Sequence, residues 1–142
     1  MKLLRRNEQI DVCKAIPLCS QLSKRDLGEV ARRADQVAVE SGKLLAREGE
    51  LGREFLVLVR GKARVEKGGR KVRQLGPGDY FGEITLIKPG LRTASVVAET
   101  DVEVLVIGTR EFAYLLDHVR GLAKKLLYSL CDYIQADAKL TK

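Results

Sequence analysis

Hydrophobic residues follow two kinds of spacing along the chain, and each kind predicts a different element. Before residue 35 and after residue 108, apolar residues recur every three or four positions among charged ones, which is typical of amphipathic helices. Between these points they alternate with polar residues or form short runs that end at glycines, which is typical of β-strands. The pattern therefore predicts a β-rich centre with helices at both ends.

Two helices are predicted before the β-rich centre. The first covers residues 5–15 and is interrupted at Pro17, because proline lacks the backbone N–H that a helix interior needs. Ser23 and Asp26 have the spacing of a capping box, in which side chains bond the free N–H groups of a helix start. The second helix is therefore predicted to start at Ser23 and to run to about Ala34.

The centre reads as a succession of short strands separated by glycine-containing turns. Residues 48–52 are predicted to be a loop, and residues 67–70, Lys-Gly-Gly-Arg, a hairpin turn. The predicted strands lie near residues 37–39, 44–47, 55–59, 63–65, 72–75, 93–98 and 102–107. Many short strands of this kind favour a sandwich or barrel, and the expected class is mainly β, an eight-stranded jelly-roll β-barrel.

Two further helices are predicted after the last strand. Thr109 is expected to cap the first of them, which contains Phe112. The second begins near Arg120 and carries an apolar stripe at helical spacing. The stripe consists of Leu122, Leu126, Leu130 and Ile134.

The composition is that of a soluble globular protein and not of a disordered one. The 142 residues suffice for one domain with its own core, and 45% of them are hydrophobic and 32% charged. No apolar run approaches the ~20 residues of a membrane helix. Since the N-terminus also lacks the apolar segment of a signal peptide, a cytoplasmic location without membrane attachment is expected.

The net charge of +7 is concentrated at the two ends of the chain. Residues 1–34 carry +4, residues 35–117 carry no net charge, and residues 118–142 carry +3. A basic surface can indicate nucleic-acid binding, but interleaved aromatic residues and a reading helix are both missing. Solvated helix faces are therefore the preferred interpretation, and direct DNA binding is not expected.

The cysteines and the single histidine argue against metal sites and catalysis. Cys13, Cys19 and Cys131 show no Cys-x-x-Cys spacing, so they are interpreted as small buried apolar residues. His118 stands alone in the sequence, which excludes the multi-histidine metal sites of cupin jelly rolls; it is expected at a helix junction. No catalytic constellation is apparent, so no enzyme activity, catalytic residue, metal or cofactor is predicted.

Residues 81–96 carry the groups that are expected to bind a ligand. Gly82 suits the entrance of one helical turn, whose first N–H groups, at Ile84 and Thr85, would face an anion. Arg92 supplies a planar fork for phosphate oxygens, and Glu83 would accept hydrogen bonds from sugar hydroxyls. These groups predict a cradle for a phosphorylated sugar. The alternative is a salt bridge between Glu83 and Arg92 with no ligand.

This stretch closely resembles the phosphate-binding cassette of cyclic nucleotide-binding domains, which occur in bacterial transcription activators, protein kinase regulatory subunits and nucleotide-gated channels. A weaker resemblance extends from Pro17 to Tyr133. Leu91 departs from the family, since many members have proline before the arginine. The departure is expected to affect the stiffness of the loop more than its ligand chemistry.

The resemblance implies a role for each cassette residue. Gly82 and Glu83 would hold the ribose 2′-hydroxyl, and Arg92 would bind the cyclic phosphate. The backbone amides implied to complete the anion site are those of Ile84, Thr85, Thr93 and Ala94. In the family, a threonine such as Thr93 can reach the 2-amino group of guanine, whereas many cAMP-selective members have alanine. Some channel members with threonine nevertheless respond to cAMP, so the choice of base stays open.

The resemblance also implies a pocket for the base and a helix that closes over it. Val65 and Val72 are expected to line the base pocket from the strands. The last helix is similar to the family's lid helix, and Leu126 is expected among the residues that cap the base, with Leu127, Leu130 or Tyr133 as alternatives. A helix stripe packed on the barrel, or on a second copy in a homodimer, would explain the same residues.

The whole chain, residues 1–142, is accordingly expected to be a single cyclic nucleotide-binding domain. Residues 1–34 would be N-terminal helices, residues 35–108 the jelly roll with the cassette at 81–94, and residues 109–142 the hinge and lid helices. The predicted function is that of a stand-alone sensor, with cAMP as the expected ligand and cGMP as the other candidate. Ligand binding would close the hinge and the last helix by a population shift.

Two other functions are compatible with the pattern. After the last helix there is no room for a helix-turn-helix, so the expected output is a protein partner, unless the chain is a fragment. A nucleotide-independent interaction module with a degenerate pocket would use the same fold to dock such a partner. A jelly-roll enzyme of the cupin kind is the second alternative, and the lone His118 counts against it.

Overall fold

The computed structural model describes residues 6–82 and 90–140. In this part of the chain, helices precede and follow eight β-strands. The helices are α1 Arg6–Ala15, α2 Lys24–Arg32, α3 Thr109–His118 and α4 Leu122–Leu140, with a 3₁₀ turn at Pro17–Cys19. The strands are β1 Asp35–Val39, β2 Leu44–Ala46, β3 Glu54–Arg60, β4 Ala63–Lys67, β5 Arg70–Leu75, β6 Tyr80–Phe81, β7 Ser95–Ala98 and β8 Val102–Gly108.

The strands form two antiparallel sheets of four. One sheet has the order β1-β8-β3-β6, and the other has the order β2-β7-β4-β5. Consecutive strands such as β3 and β4 therefore lie in different sheets, while β4 and β5 form a hairpin. This two-sheet arrangement confirms the predicted mainly β jelly roll with helices at both ends.

The molecule has three layers because the β1-β8-β3-β6 sheet is apolar on both faces. Along β3, Leu56 and Leu58 face a core between the sheets, together with Val96 and Ala98 of β7. Their neighbours in the same strand, Phe55 and Val57, belong to a second core that includes the helices. An unbroken apolar run in β3 is what a strand buried on both faces requires.

The first helices form largely as the sequence predicts. Ser23 precedes α2, and the backbone N–H of Asp26 donates to Ser23 Oγ at 3.1 Å, so the cap is made as expected. The side chains of Leu27 and Val30 are buried in the helical core. The apolar positions of the second predicted helix thus match the face that packs.

The start of α3 differs from the prediction that Thr109 is its cap. Gly108 occupies the N-cap position, without a side-chain hydrogen bond, and Thr109 is the first helical residue. The Thr109 hydroxyl instead donates to the carbonyl of Arg53 at 2.8 Å. Thr109 therefore links the start of α3 to the segment that enters β3. No loop separates β8 from the helix, since β8 ends at Gly108 and α3 begins at Thr109.

The cysteines also differ in part from the prediction. Cys13 and Cys19 are buried in the helical core, but Cys131 is exposed on α4. Burial raises the pKa of the Cys13 thiol to about 12 and that of Cys19 to about 11. Both buried thiols are therefore protonated at neutral pH, which makes them poor nucleophiles.

The end of α3 carries a stack of side chains that joins it to α2. The guanidinium of Arg33 lies 3.8 Å from the centre of the Tyr114 ring, and the rings of Tyr114 and His118 stack with centroids 4.0 Å apart. His118 is exposed, as predicted for a helix junction, and its Nδ1–H donates to the Tyr114 carbonyl at 2.9 Å. The stack holds the two helices together next to residues 119–121, which connect α3 to α4.

Candidate functional site

Gly82 lies at the end of β6 in a conformation and a space that only glycine fits. Its φ angle is +100°, in the region that L side chains rarely adopt. A Cβ atom at this position would lie 2.3 Å from the backbone oxygen of Glu54 and 2.8 Å from Nη1 of Arg92. The glycine therefore allows the arginine to approach the backbone of β6 and β3.

Arg92 is half-buried, and its guanidinium is held against the start of β3. Its Nη2 donates to the carbonyl of Glu54 at 2.9 Å. A guanidinium carries five N–H donors in one plane, and a bond to a fixed carbonyl sets the orientation of that plane. Gly82, Glu54 and Arg92, which are distant in sequence, thus form one compact unit, which we call the arginine cradle.

The backbone of Arg92 is fixed by the loop at residues 49–52. The N–H of Arg92 donates to the Glu50 carbonyl at 2.7 Å, and the N–H of Gly49 donates to the Arg92 carbonyl at 3.0 Å. A third bond joins the N–H of Gly52 to the carbonyl of Gly90 at 3.1 Å. Both sides of the arginine are therefore anchored to a segment that the sequence suggested only as a loop.

These backbone hydrogen bonds explain why β7 begins later than predicted. The sequence predicts a strand from Thr93, whereas the strand starts at Ser95. Thr93 and Ala94 form a bend instead, in which Thr93 is exposed and Ala94 half-buried. Because Arg92 pairs with the 49–52 loop and not with β4, the chain must turn before it joins the sheet.

The other predicted cassette residues precede Gly90 or follow Arg92 in the chain. Glu83, Ile84 and Thr85 lie outside the described residues. The structure therefore brings together Gly82 and Arg92 among the predicted site residues, with Thr93 and Ala94 following directly in the chain.

Val65 and Leu126, the predicted base-pocket residues, lie in different parts of the fold. Val65 is half-buried on β4 and packs against the core between the sheets. Leu126 is 1% exposed in the helical core, so in this arrangement the helix stripe at Leu126 packs on the domain and not over a pocket. Val72 is 59% exposed and does not line the core at all.

An aromatic path leads from the arginine cradle to the helices. The ring of Phe55, which follows Glu54, lies 5.4 Å from the ring of Tyr80 and 5.0 Å from that of Phe112 on α3. The Tyr80 hydroxyl donates to Ser129 Oγ on α4 at 2.9 Å. Residues adjacent to the cradle in sequence thus contact both C-terminal helices.

The outer face of the β2-β7-β4-β5 sheet is an ionic surface. Lys71 Nζ lies 3.0 Å from Glu99 Oε1, and the Gln74 amide donates to Glu99 Oε2 at 2.9 Å. The hydrogen bond from Lys71 is the main reason why the pKa of Glu99 lies below its usual range. These charges are satisfied among themselves, on the side of the sheet away from the core.

Two further features of residues 6–82 and 90–140 concern metals and membranes. No three His, Cys, Asp or Glu side chains in these ranges come together as a metal-binding group. No helix there has the length and apolar character needed to cross a membrane.

Comparison with known proteins identifies the family. The model of the cyclic nucleotide-binding domain matches residues 36–119, more than half of the chain. The chain belongs to the cyclic nucleotide-binding domain family. The predicted resemblance is therefore confirmed, and the match includes the arginine cradle and α3.

Relatives of this cyclic nucleotide-binding domain include regulatory proteins. The chain is 31% identical over 124 residues to a cAMP-dependent protein kinase regulatory subunit of Hypocrea atroviridis, which covers 87% of this chain and 27% of the relative. A second regulatory subunit, from Eremothecium gossypii, is 36% identical over 110 residues, or 77% of this chain and 24% of the relative. The chain thus spans about a quarter of the length of these relatives.

Solved structures show the same fold. The catabolite activator protein of Thermus thermophilus has a TM-score of 0.81 and 29% identity, covering 88% of this chain and 62% of the other.

Proposed function

We propose that this domain binds a cyclic nucleotide, with cAMP as the expected ligand, and acts as a regulatory sensor and not as an enzyme. The observation that carries the proposal is the arginine cradle, in which Gly82 makes room for a guanidinium that the Glu54 carbonyl orients. A guanidinium oriented in this way suits a phosphate, because the two groups pair through two parallel hydrogen bonds.

The rest of the ligand can be assigned by chemistry and by resemblance. The amides of Thr93 and Ala94 would add donors beside Arg92, and Glu83, Ile84 and Thr85 would complete the ribose and phosphate contacts. The base would extend over Val65. The relatives are regulatory subunits of cAMP-dependent protein kinases, which supports a cyclic nucleotide as the ligand.

The Arg92→Ala variant tests the proposal by calorimetric titration with cAMP and cGMP. Loss of a bidentate, charge-assisted contact worth about 3 kcal/mol corresponds to a loss of about 100-fold in affinity. Arg110→Ala is the matched control, since Arg110 is an exposed arginine on α3, and it should bind as the parent protein does. No binding of either nucleotide by folded, ligand-free parent protein would exclude the sensor function and favour the nucleotide-independent module.

The sensor mechanism we propose uses the aromatic path from the cradle to the helices. A ligand that shifts Arg92 would also shift Glu54, because the Glu54 carbonyl accepts a hydrogen bond from the arginine. Phe55 would move with Glu54, and its ring contacts those of Tyr80 and Phe112. Ligand binding would thereby favour one arrangement of α3 and α4 over another. The shift in population is limited by the difference in affinity of the ligand for the two arrangements.

Tyr80→Phe tests this coupling, because it removes the hydroxyl that bonds Ser129 and keeps the ring. A single hydrogen bond contributes about 1 kcal/mol, so the ligand-dependent protection of α4 amides from hydrogen exchange should fall by about fivefold. Nucleotide affinity should change by less than about threefold if coupling alone is lost. Tyr114→Phe, on α3, is the control, and equal protection changes in the two variants would contradict the mechanism.

The output of the sensor is proposed to be a protein partner that docks on α4. Leu127, Tyr128 and Ile134 are 62%, 60% and 68% exposed on this helix. Side chains of this size and exposure on one helix favour a protein–protein contact. A second copy of the chain, giving a homodimer, is one such partner, and the mass of the protein in solution distinguishes it from others.

A further inference from the structure

The β4–β5 hairpin carries a concentration of positive charge that the totals for longer segments conceal. Residues 62–75 contain six basic side chains and one acidic side chain, a net charge of +5. The remainder of residues 35–117 has seven basic and twelve acidic side chains, a net charge of −5, so the two contributions cancel. The six basic residues are Lys62, Arg64, Lys67, Arg70, Lys71 and Arg73. We call residues 62–75 the basic hairpin.

The outer strand of the basic hairpin, β5, is exposed along almost its whole length. Residues 70–74 are all exposed, and only Leu75 at the end of the strand is buried. β5 is also the last strand in the order β2-β7-β4-β5, so it pairs with β4 on one edge and, in the described part of the chain, with no strand on the other. Such an edge presents unpaired backbone N–H and C=O groups. The free edge of β5 can therefore accept a further strand.

Ion pairs within the protein balance only part of this positive charge. On the outer ionic surface, Glu66 and Glu99 each pair with a basic residue of the hairpin. At the turn end, by contrast, Lys67 lies directly opposite Arg70, and both side chains are exposed. Like charges directly opposite each other in a sheet are destabilising. An anionic partner beside this pair would remove the repulsion, so the pair favours a binding role over a purely structural one.

An acidic segment in extended conformation fits this edge better than other anionic partners do. β4 pairs with β7 from Ala63 to Glu66, so the hairpin is not a free two-stranded ribbon that could enter the major groove of a nucleic acid. Arg70 and Lys71 are consecutive in the strand and project to opposite faces, and a flat membrane can contact only one of these faces. A second copy of the chain would place β5 against β5 and oppose like charges.

We propose that the free edge of β5 is a docking site for an acidic protein segment, which adds as a further strand and places its carboxylates against the basic hairpin. Backbone hydrogen bonds of the added strand supply affinity, and the charges select the partner. Val72, which the register shift leaves unpaired, is 59% exposed and offers this segment an apolar contact. The positive charges that repel a second copy give the edge its specificity. This docking does not require nucleotide binding.

The test uses a fluorescein-labelled peptide of about ten residues, with alternating glutamate and threonine, titrated with the full chain and followed by fluorescence anisotropy. The parent protein should bind this peptide less tightly as the salt concentration rises, because salt screens exposed charges. Arg70→Glu should weaken binding by about fivefold or more. It should keep or raise the urea midpoint of unfolding, since the new carboxylate lies opposite Lys67. Lys67→Glu makes the same reversal from β4 and should act likewise. Arg25→Glu, at an exposed arginine on α2, is the matched control and should bind as the parent does.

Control ligands separate strand addition from attraction between charges. A peptide with proline in place of threonine keeps the charge but lacks the N–H groups of a strand, and it should bind at least about fivefold more weakly. Equal binding of the two peptides would overturn the added strand.

The remaining outcomes decide whether the site exists and which partner it takes. No binding of the acidic peptide by the folded parent protein, or equal losses in Arg70→Glu and Arg25→Glu, would overturn the docking site. Tighter binding of phosphatidylserine vesicles or of single-stranded RNA would overturn the acidic segment as the partner and assign the hairpin to a lipid surface or a nucleic acid. A dimeric mass without peptide that Arg70→Glu abolishes would assign the edge to a second copy instead.

Discussion

Gly82→Ala is expected to weaken cyclic nucleotide binding by more than 100-fold and to lower the free energy of unfolding by about 1–3 kcal/mol. The added methyl would lie 2.3 Å from the Glu54 oxygen and 2.8 Å from Arg92 Nη1, closer than real Cβ contacts. Neither the backbone of β3 nor the arginine can keep its place. Since both atoms belong to the arginine cradle, the substitution removes the geometry on which the proposed phosphate binding depends.

Gly78→Ala separates this close approach from simple backbone strain. Gly78 has a φ angle of +92°, similar to that of Gly82, but among the described residues, apart from its chain neighbours, no atom lies within 4 Å of the Cβ position. It should lose about 1 kcal/mol of stability from its conformation and keep its nucleotide affinity. Calorimetric titration and urea unfolding of the two variants would measure both effects. Equal losses of affinity in the two variants would show that the crowding at Gly82 is unimportant.

The confirmed predictions concern features formed by residues that are close in sequence. The capping box at Ser23 and the glycine turn between β4 and β5 are local features, because their bonds and φ angles involve residues only a few positions apart. The glycine and arginine of the cassette could also be selected from the sequence. Their partner could not, because Glu54 contributes its backbone carbonyl, which every residue type carries.

The features that were missed depend on tertiary pairing. Thr109 has the residue type of a cap, yet its hydroxyl finds the Arg53 carbonyl, 56 positions earlier in the chain. Val72 was expected in the base pocket but is exposed, because β5 does not alternate regularly. Val72 and Leu75 are three residues apart, and the bulge that explains this spacing appears only when β5 is paired with β4. The glycines at positions 49 and 52 were the available sequence signal for the backbone hydrogen bonds that hold Arg92 against the 49–52 loop.

Phe55→Ala should cost about 3–5 kcal/mol of the free energy of unfolding, the largest loss of stability expected here. The side chain is 3% exposed, and its ring contacts those of Tyr80 and Phe112. Alanine would leave a cavity where β3, β6 and α3 meet, next to the arginine cradle. Such a loss is a large part of the 5–15 kcal/mol that a domain typically has, so urea unfolding should be measured at low temperature.

The milder Phe55→Leu and Phe112→Leu variants, alone and combined, test whether this contact also transmits ligand binding. Their double-mutant cycle should give a coupling of about 0.5–1.5 kcal/mol for the aromatic pair. Saturation with nucleotide should change that coupling, because the ligand acts on Glu54, one residue away from Phe55. Leu56→Ala is the control on the same strand, since Leu56 faces the core between the sheets and not the helices. It should lose stability without altering the ligand-dependent hydrogen exchange of α3. A coupling that is the same with and without nucleotide would mean that Phe55 stabilises the helical layer but carries no signal to it.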